Sequence, residues 1–386
     1  MGSPVLAGIG YVKIREHWDR DYLDLAFKAI KDILDNYSVD GVDALYVGNA
    51  LSSFYGRQMA IATHIADQLG LFDAVVSTFS SGGASSAQAI YNAILGIESG
   101  IYKAVIAGGV EKMSEELPAK VVRGVSLVEN SFYVDYMGVT EFSIHALAAQ
   151  MYMDSYGLDR RSISLLPVME HGNASKASHV QFRNKISLDM VVNAPPVAEP
   201  LTIFDVSAPG DGAAFILLMD EELAKKAGLE YIRILGMGSA SQPVNLLDRP
   251  SPIMFEATSR AVEKALKISK LNLEDINHME IYNPSSISGL LILDAIGMNR
   301  RGESYKKVEE GFYSLDGRCP INTFGGAKAR GDPKGAVTAY QFVETYLQHM
   351  GMANNNQVGE VNYSLIHSMV GFDNSSYVFI VGGGKK

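Results

Sequence analysis

A glycine-rich turn occurs once in each half of the chain, in closely similar form. The first copy reads Val-Ser-Thr-Phe-Ser-Ser-Gly-Gly-Ala at residues 76–84, and the second reads Ile-Asn-Thr-Phe-Gly-Gly-Ala at residues 321–327. Each copy follows an apolar run and leads into a helical pattern and then a strand, at residues 104–107 and 363–367. The simplest explanation is an internal duplication. Because each half alone would leave its central helix partly uncovered, we expect the two halves to pack face to face.

The elements around these turns predict an α/β protein, because strands and helices alternate. In the first half the predicted strands are 5–12, 42–47, 75–78, 104–107 and 215–219, and the predicted helices are 21–34, 58–69 and one from residue 81. In the second half the predicted strands are 232–235, 279–282 and 363–367, and the predicted helices are 255–266, 288–296 and 335–347.

The alternation is interrupted after residue 111. Two helices, predicted at 141–156 and 159–174, stand there among long polar connections. Excursions of this kind often cover an active site. We call residues 112–205 the covering segment. The predicted division of the chain is a first half at 1–225, which includes the covering segment, and a second half at 226–386.

Composition narrows the classes of function. The net charge is −10 and no basic cluster stands out, which argues against nucleic acid and anionic membranes as partners. No apolar run reaches the roughly 18–20 residues of a membrane span, and residues 1–12 lack the form of a secretory signal. The single cysteine, Cys319, excludes an internal disulfide and a cysteine-rich metal site. We therefore expect a cytoplasmic protein.

Several ordered motifs carry a resemblance to a known family. They are Ser-Gly-Gly at residues 81–83, Gly-Gly-Val-Glu-Lys-Met-Ser at 108–114, Asn-Ala at 173–174, Gln-Phe at 181–182, Gly-Asp-Gly-Ala-Ala at 210–214 and the run from Asn322 to Ala336. In this order they resemble the thiolase superfamily, and most closely the sterol-carrier-protein-type thiolases and their archaeal relatives. The resemblance covers nearly the whole chain.

This resemblance implies a fold and a substrate class. The expected fold is two repeated αβα halves in a five-layered sandwich, with the two central helices in the middle. The expected substrate is an acyl-CoA, with coenzyme A as part of the substrate, no separate cofactor and no metal. A homodimer is the expected minimum assembly. The family pattern also implies that Phe79, Ser80, Ser81, Gly82, Gly325, Gly326 and Gly371 surround the substrate.

The departures from the family pattern lie at the positions that carry its chemistry. The nucleophilic cysteine is replaced by Phe79, the first histidine motif by Tyr282-Asn283, and the histidine of Gly-His-Pro by Asp332. His367 is the titratable residue left in the usual place, before an eroded glycine loop at 370–373. Tyr282, Asn283, Asp332 and His367 are therefore the candidate catalytic residues.

Two interpretations follow from these replacements. In the first, Tyr282 and Asp332 form a new acid/base set that cleaves β-hydroxyacyl-CoA by a retro-aldol reaction, as in superfamily aldolases that work with a small partner protein. In the second, the chain is an inactive subunit that scaffolds a cysteine-bearing thiolase. Ser80 or Ser81 could replace the nucleophile only with a base within hydrogen-bond reach, and the simpler interpretation is that both begin the helix.

The first interpretation makes a geometric prediction. Tyr282 and Asp332, with His367 as a third candidate, should converge on the space beside Phe79. Phe79 should then form an apolar wall of the site. Asp332 would carry protons with a raised pKa, and Tyr282 would donate a hydrogen bond to the substrate oxygen. To act as a base, Tyr282 would need a pocket that lowers its pKa from about 10.

Overall fold

Strands and helices alternate along the chain in the computed structural model, which describes residues 2–37, 41–56 and 58–385. The strands are β1 (Pro4–Tyr11), β2 (Ala44–Gly48), β3 (Val75–Phe79), β4 (Ala104–Glu111), β5 (Pro196–Ala198), β6 (Leu201–Thr202), β7 (Gly212–Asp220), β8 (Tyr231–Ser241), β9 (His278–Ile281), β10 (Tyr363–Val370) and β11 (Ser375–Lys385). The helices are α1 (Tyr22–Asn36), α2 (Ile61–Leu69), α3 (Ser85–Glu98), α4 (Pro118–Ser126), α5 (Glu141–Tyr156), α6 (Leu165–Ala174), α7 (Leu188–Val192), α8 (Glu221–Lys226), α9 (Glu256–Ser269), α10 (Ser286–Ile296), α11 (Ser304–Glu309) and α12 (Val337–His349).

The corresponding strands of the two halves follow one another in opposite order on either side of the junction between β1 and β8. One sheet runs β3-β2-β4-β7-β1 through the first half and continues β8-β11-β10-β9 through the second. The halves meet where Val5 of β1 pairs with Arg233 of β8. The counterpart of β3 is reduced to a single parallel bridge between Met279 and Ile321. This symmetry is what an internal duplication predicts.

A central layer of two helices joins the halves. Helix α3 packs on β2, β3 and β4, α12 packs on β7 and β10, and the two helices contact each other. Every residue of α12 is buried. Helices α1 and α2 cover the outer face of the first-half strands, and α9 and α10 cover that of the second half. The predicted five-layered αβα sandwich is confirmed.

Element boundaries differ from the prediction at a few ends. Helix α1 begins one residue after Asp21, because the Asp21 carboxylate caps it by accepting a hydrogen bond from the Asp24 amide at 2.9 Å. Strand β11 was not predicted. It lies between β8 and β10, and a strand buried on both faces lacks the polar alternation that marks an exposed strand. The division of the chain at residue 225 stays a prediction.

The covering segment supplies α4 to α7 and the short β5-β6 hairpin, between β4 and β7. Its helix α5 has 16 residues and contacts α10 of the second half. Across residues 2–37, 41–56 and 58–385, no helix combines the length and the apolar character needed to cross a membrane.

The junction between β2 and α3 gives a test of the central layer. A Cβ atom on Gly48 would collide with the backbone of Ser85 and Ser86. We therefore expect Gly48→Ala to destabilise the protein by about 1–3 kcal/mol or more. As a control, Gly172→Ala meets no atom within 4 Å in α6 and should be neutral or stabilising by up to about 1 kcal/mol. Chemical denaturation measures both, and equal midpoints would contradict the close approach.

Candidate functional site

A cavity of about 500 Å³ lies where the first half, the covering segment and the second half meet. Its lining comes from four parts of the chain: the loop after β2 (Ala50, Leu51, Ser53, Phe54), the glycine-rich turn before α3 (Ser80, Ser81, Gly82, Gly83), the covering segment (Gly124, Val125, Leu127, Val128, Glu141) and the second half (Tyr282, Lys334, Val370, Gly371). The cavity is therefore apolar along Val125, Leu127 and Val128, and polar at Glu141, Tyr282 and Lys334, where the covering segment meets the second half.

The glycine-rich turn is held by its own serines. The Ser85 hydroxyl donates to the Gly82 carbonyl at 2.7 Å and accepts from the Ser81 amide at 2.9 Å. The Ser81 hydroxyl donates to Gln88, and the Ser80 hydroxyl donates to the Ala50 carbonyl. In the part of the chain that the structure describes, neither Ser80 nor Ser81 has a hydrogen bond to a histidine, lysine or carboxylate. Both hydroxyls thus stabilise the turn, and neither has a base.

Tyr282 and Asp332 meet at the polar side of the cavity. The Tyr282 ring lies against Gly83, where any Cβ atom would collide with it. Its hydroxyl donates to Asp332 Oδ2 at 3.3 Å. The same oxygen accepts from the Ser207 hydroxyl at 2.7 Å, and Asp332 is fully buried.

Two further charged residues complete this group. Lys334 Nζ lies 3.1 Å from Asp332 Oδ2 and donates to the Tyr282 hydroxyl at 3.0 Å. It also donates to the two carboxylate oxygens of Glu141, at 3.2 and 3.3 Å. We call Tyr282, Asp332, Lys334 and Glu141 the buried ionic cluster. It unites the covering segment with two loops of the second half.

Burial and the neighbouring charges determine the protonation of Tyr282 and Lys334 within the cluster. Burial and the neighbouring Asp332 raise the pKa of Tyr282 well above its ordinary value, so the phenol stays protonated and can donate a hydrogen bond. For Lys334, burial alone would lower the pKa, but Asp332 and Glu141 raise it, so the ammonium stays charged. Burial raises the pKa of Glu141, and Lys334 opposes this shift. The pocket thus raises the pKa of Tyr282, whereas a phenolate base would need a lowered pKa.

Comparison with protein families identifies the fold. Residues 13–222 match the family model described as "Thiolase, N-terminal domain", and residues 238–383 match "Thiolase C-terminal domain-like". The chain belongs to the thiolase superfamily.

Relatives of known name cover almost the full chain. The chain is 31% identical over 382 residues to an acetyl-CoA acetyltransferase of Methanothermobacter thermautotrophicus, across 98% of this chain and 99% of the relative. It is 26% identical to benzoylsuccinyl-CoA thiolase subunit BbsB of Thauera aromatica, across 92% and 91%, and 27% identical to human sterol carrier protein 2, across 94% and 69%. A solved structure named Ltp2-ChsH2(DUF35) aldolase has the same fold, with a TM-score of 0.84, 21% identity and coverage of 99% and 98%.

Phe79, at the nucleophile position of the thiolase pattern, does not line the cavity. Its ring is half-buried and packs edge-on against Tyr46, with the ring centroids 5.4 Å apart. The reason is strand geometry: Phe79 is opposite Gly48 and diagonal to Tyr46, so both rings lie on one face of the β2-β3 pair. The expectation that Phe79 forms an apolar wall of the site is wrong.

His367 also lies outside the cavity lining. Its imidazole contacts the Thr258 hydroxyl of α9 at 3.0 Å, and burial lowers its pKa to about 3. The next residue, Ser368, faces the centre, where its hydroxyl donates to the Gly83 carbonyl. Because neighbouring side chains of a strand point to opposite faces, His367 is directed away from the cluster. The prediction that it converges with Tyr282 and Asp332 is wrong.

Asn283 lies in a separate buried network behind the cavity. The side-chain amide of Asn283 donates a hydrogen bond to Glu170 at 2.7 Å through Nδ2 and accepts one from Asn322 at 3.0 Å through Oδ1. The backbone carbonyl of Asn283 accepts a hydrogen bond from Lys328 at 3.1 Å. Lys328 and Glu170 form an ion pair at 2.8 Å. This network fixes the loop after β9 and so positions the neighbouring Tyr282.

The three candidate glycines of the second half divide between the network and the cavity. Gly325 and Gly326 have positive φ angles and lie against Glu170, so they belong to the network and do not line the cavity. Gly371 does line the cavity, also with a positive φ. Its loop is attached to the covering segment through Glu129, which accepts from the Phe372 amide at 2.7 Å.

Lys334 and Glu141 were not among the predicted site residues. Lys334 stands two residues after Asp332 in a glycine-rich run, and that closeness is the signal that could have identified it. Glu141 is far away in sequence, at the start of a helix whose packing the sequence does not define. No local pattern indicates it.

The cluster predicts a strong, pH-dependent effect of removing its cation. Lys334→Met leaves two buried carboxylates without their counter-ion, so we expect a loss of about 3–5 kcal/mol at neutral pH. Burial raises the pKa of Glu141 and Lys334 opposes this shift, so without the ammonium the pKa of Glu141 in the folded protein lies still further above its unfolded value. Stability is then lost as pH rises above the ordinary carboxyl range, and the deficit should shrink towards pH ~5. Guanidinium unfolding of wild type and variant at several pH values measures this.

A surface pair provides the matched control. Lys31 and Asp35 form an exposed ion pair at 2.9 Å on α1. Lys31→Met should cost less than about 1 kcal/mol, with little dependence on pH. A deficit for Lys334→Met as small as that of Lys31→Met would contradict the cluster.

Proposed function

We propose that the protein is an acyl-CoA enzyme that cleaves, or forms, the carbon–carbon bond of a β-hydroxyacyl-CoA by acid–base chemistry, without an acyl-enzyme. The observation that carries this proposal is the buried ionic cluster at the cavity, in a chain with Phe79 at the nucleophile position. The enzyme would act in the cytoplasm, as a homodimer or larger assembly, with no cofactor beyond the coenzyme A of its substrate.

Thiolysis needs a nucleophile that accepts the acyl group and a base that activates it. A phenylalanine cannot be acylated, and Ser80 and Ser81 have hydrogen-bond partners that are not bases. Retro-aldol cleavage asks for less. A proton leaves the β-hydroxyl, the bond between the α- and β-carbons breaks, and the α-carbon of the resulting enolate takes up a proton.

The cluster provides groups suited to both stages of this reaction. A carboxylate of the cluster can accept the hydroxyl proton and return it. The Tyr282 phenol can donate a hydrogen bond to the thioester oxygen. The Lys334 ammonium can stabilise the negative charge that develops as the enolate forms, and such preorganised charge is often the largest contribution to catalysis.

The names of the relatives support the substrate class. Two of them are named for acyl-CoA thioesters, an acetyl-CoA acetyltransferase and a benzoylsuccinyl-CoA thiolase subunit. The solved structure with the same fold bears the name of an aldolase, which supports a reaction of that class. These comparisons support acyl-CoA binding, and the aldol chemistry rests chiefly on the cluster.

Substitutions within the cluster test the reaction. Tyr282→Phe and Asp332→Asn should each lower the cleavage of a β-hydroxyacyl-CoA by about 10²–10⁴-fold, because the first removes a hydrogen-bond donor to the substrate and the second removes the carboxylate that contacts Tyr282 and Lys334. Binding of free coenzyme A should be unchanged, because neither change alters the cavity volume much. The assay follows release of the aldehyde or ketone from a panel of short, long and β-branched thioesters. Calorimetric titration measures coenzyme A binding.

Restoring the thiolase nucleophile provides a complementary test. Phe79→Cys should not produce thiolysis of acetoacetyl-CoA, because the two histidine positions hold Tyr282 and Asp332 and the residue at position 79 faces Tyr46. An acylated wild-type protein, or thiolysis at rates typical of the family, would refute the proposal.

A second candidate function is an inactive subunit that scaffolds a cysteine-bearing thiolase or a small partner protein. The relative from Thauera aromatica is itself named as a subunit, which supports this candidate. Purification from the native source distinguishes the two. A chain that runs alone as an active homodimer would exclude the scaffold, and a stable complex with an inactive chain would favour it.

A further inference from the structure

The members of the buried ionic cluster differ in their access to the cavity. Glu141, Tyr282 and Lys334 line it, whereas Asp332 does not. A bound substrate can therefore meet three of the four groups directly. Since Tyr282 stays a protonated phenol and Lys334 stays charged, Glu141 is the lining group of the cluster that can accept a proton.

Asp332 is enclosed by its own partners. Its Oδ2 atom accepts from Ser207, from Tyr282 and from Lys334, and its Oδ1 atom is buried. Because Asp332 does not line the cavity, a substrate there meets Tyr282 and Lys334 rather than this carboxylate. The geometry suits a residue that holds the phenol and the ammonium in place.

Glu141 is differently placed. Both of its carboxylate oxygens contact the same group, Lys334 Nζ, and its side chain is 6% exposed. It is the first residue of α5. Thr140 caps this helix, and the Ser126 hydroxyl accepts a hydrogen bond from the Glu141 backbone amide. The helix N-terminus favours the ionised form of a carboxylate there. The position is therefore rigid, and its occupant can carry negative charge.

We propose that Glu141 is the catalytic base that takes the proton of the β-hydroxyl and returns it to the α-carbon, and that Asp332 is a positioning residue. This inference rests on the proposed function. The Glu141 carboxylate accepts the hydroxyl proton, and the oxygen it leaves forms the new carbonyl. The bond between the α- and β-carbons breaks, and its electron pair passes into the thioester as an enolate. The α-carbon then takes the proton from Glu141, giving an aldehyde or ketone and a shortened acyl-CoA without oxidant or reductant.

The surroundings of Glu141 determine how the rate depends on pH. The titratable groups that face it are Tyr282 and Asp332 of the second half, Lys334, Glu129 of the covering segment and His145 one turn along α5. Burial raises the pKa of Glu141 above its ordinary value. His145 is neutral throughout, because burial lowers its pKa to about 3. The rate should therefore rise with pH as Glu141 ionises, at a pH above the ordinary glutamate range.

The experiment compares kcat and KM across pH for the wild-type protein and four variants. Glu141→Gln should lower kcat by about 10²–10⁴-fold, keep KM and lose the rise with pH. Glu141→Asp should lower kcat by at least about tenfold and keep that rise. Asp332→Asn should lower kcat but retain the rise of kcat with pH, because a positioning residue does not itself take the proton. Glu98→Gln, at the far end of α3, should match the wild-type protein.

The outcomes separate this inference from the proposed function. If the wild-type protein cleaves its substrate and Glu141→Gln retains both the rate and the rise with pH, the assignment of Glu141 is wrong while the function stands. If Asp332→Asn alone loses the rise, Asp332 is the base. If Glu141→Gln does not fold, an unchanged kcat for Glu141→Asp refutes the assignment. If the wild-type protein cleaves no β-hydroxyacyl-CoA of the panel, the proposed function fails, and this inference fails with it.

Discussion

The site depends on the contacts that the Lys334 ammonium makes with Glu141, Tyr282 and Asp332. The ammonium bonds to groups from two loops of the second half and from the covering segment, all of which are buried. Burying two carboxylates is strongly unfavourable unless a cation compensates them, so these segments can come together only around Lys334. The same charge keeps Tyr282 aligned between the cavity and Asp332. The stability of the site and its proposed chemistry therefore both depend on the charge of Lys334.

The duplicated frame explains why such a cluster can form at a fixed place. Helices α3 and α12 occupy the centre, and the short turns that precede them, Gly82–Ala84 and Lys334–Ala336, contact each other. Gly83 allows the Tyr282 ring to approach the turn before α3. The buried Glu111 at the end of β4 accepts a hydrogen bond from the Gly335 amide and so joins β4 to the turn before α12. The two halves thus define the positions of side chains across their interface, while the covering segment adds the remaining side of the cavity.

Much of this frame could be predicted from the sequence, because repeated glycine turns and alternating elements are local patterns. The meeting of Tyr282 with Asp332 could also be predicted, since both stand in ordered motifs of the thiolase pattern. The orientations of Phe79 and His367 could not be taken from those motifs, because the face on which a side chain lies depends on strand register. Glu141 could not be predicted, since its place depends on how the covering segment packs on the second half.

The covering segment has a consequence for how this fold diversifies. It enters between β4 and β7 and returns to the same sheet, so its replacement need not change the strand order. Yet it contributes Glu141 together with the apolar lining formed by Val125, Leu127 and Val128. One inserted segment therefore specifies both the proposed base and the shape of the space around it. Exchange of that segment between relatives would transfer reactivity and selectivity as a single module, on a scaffold that stays the same.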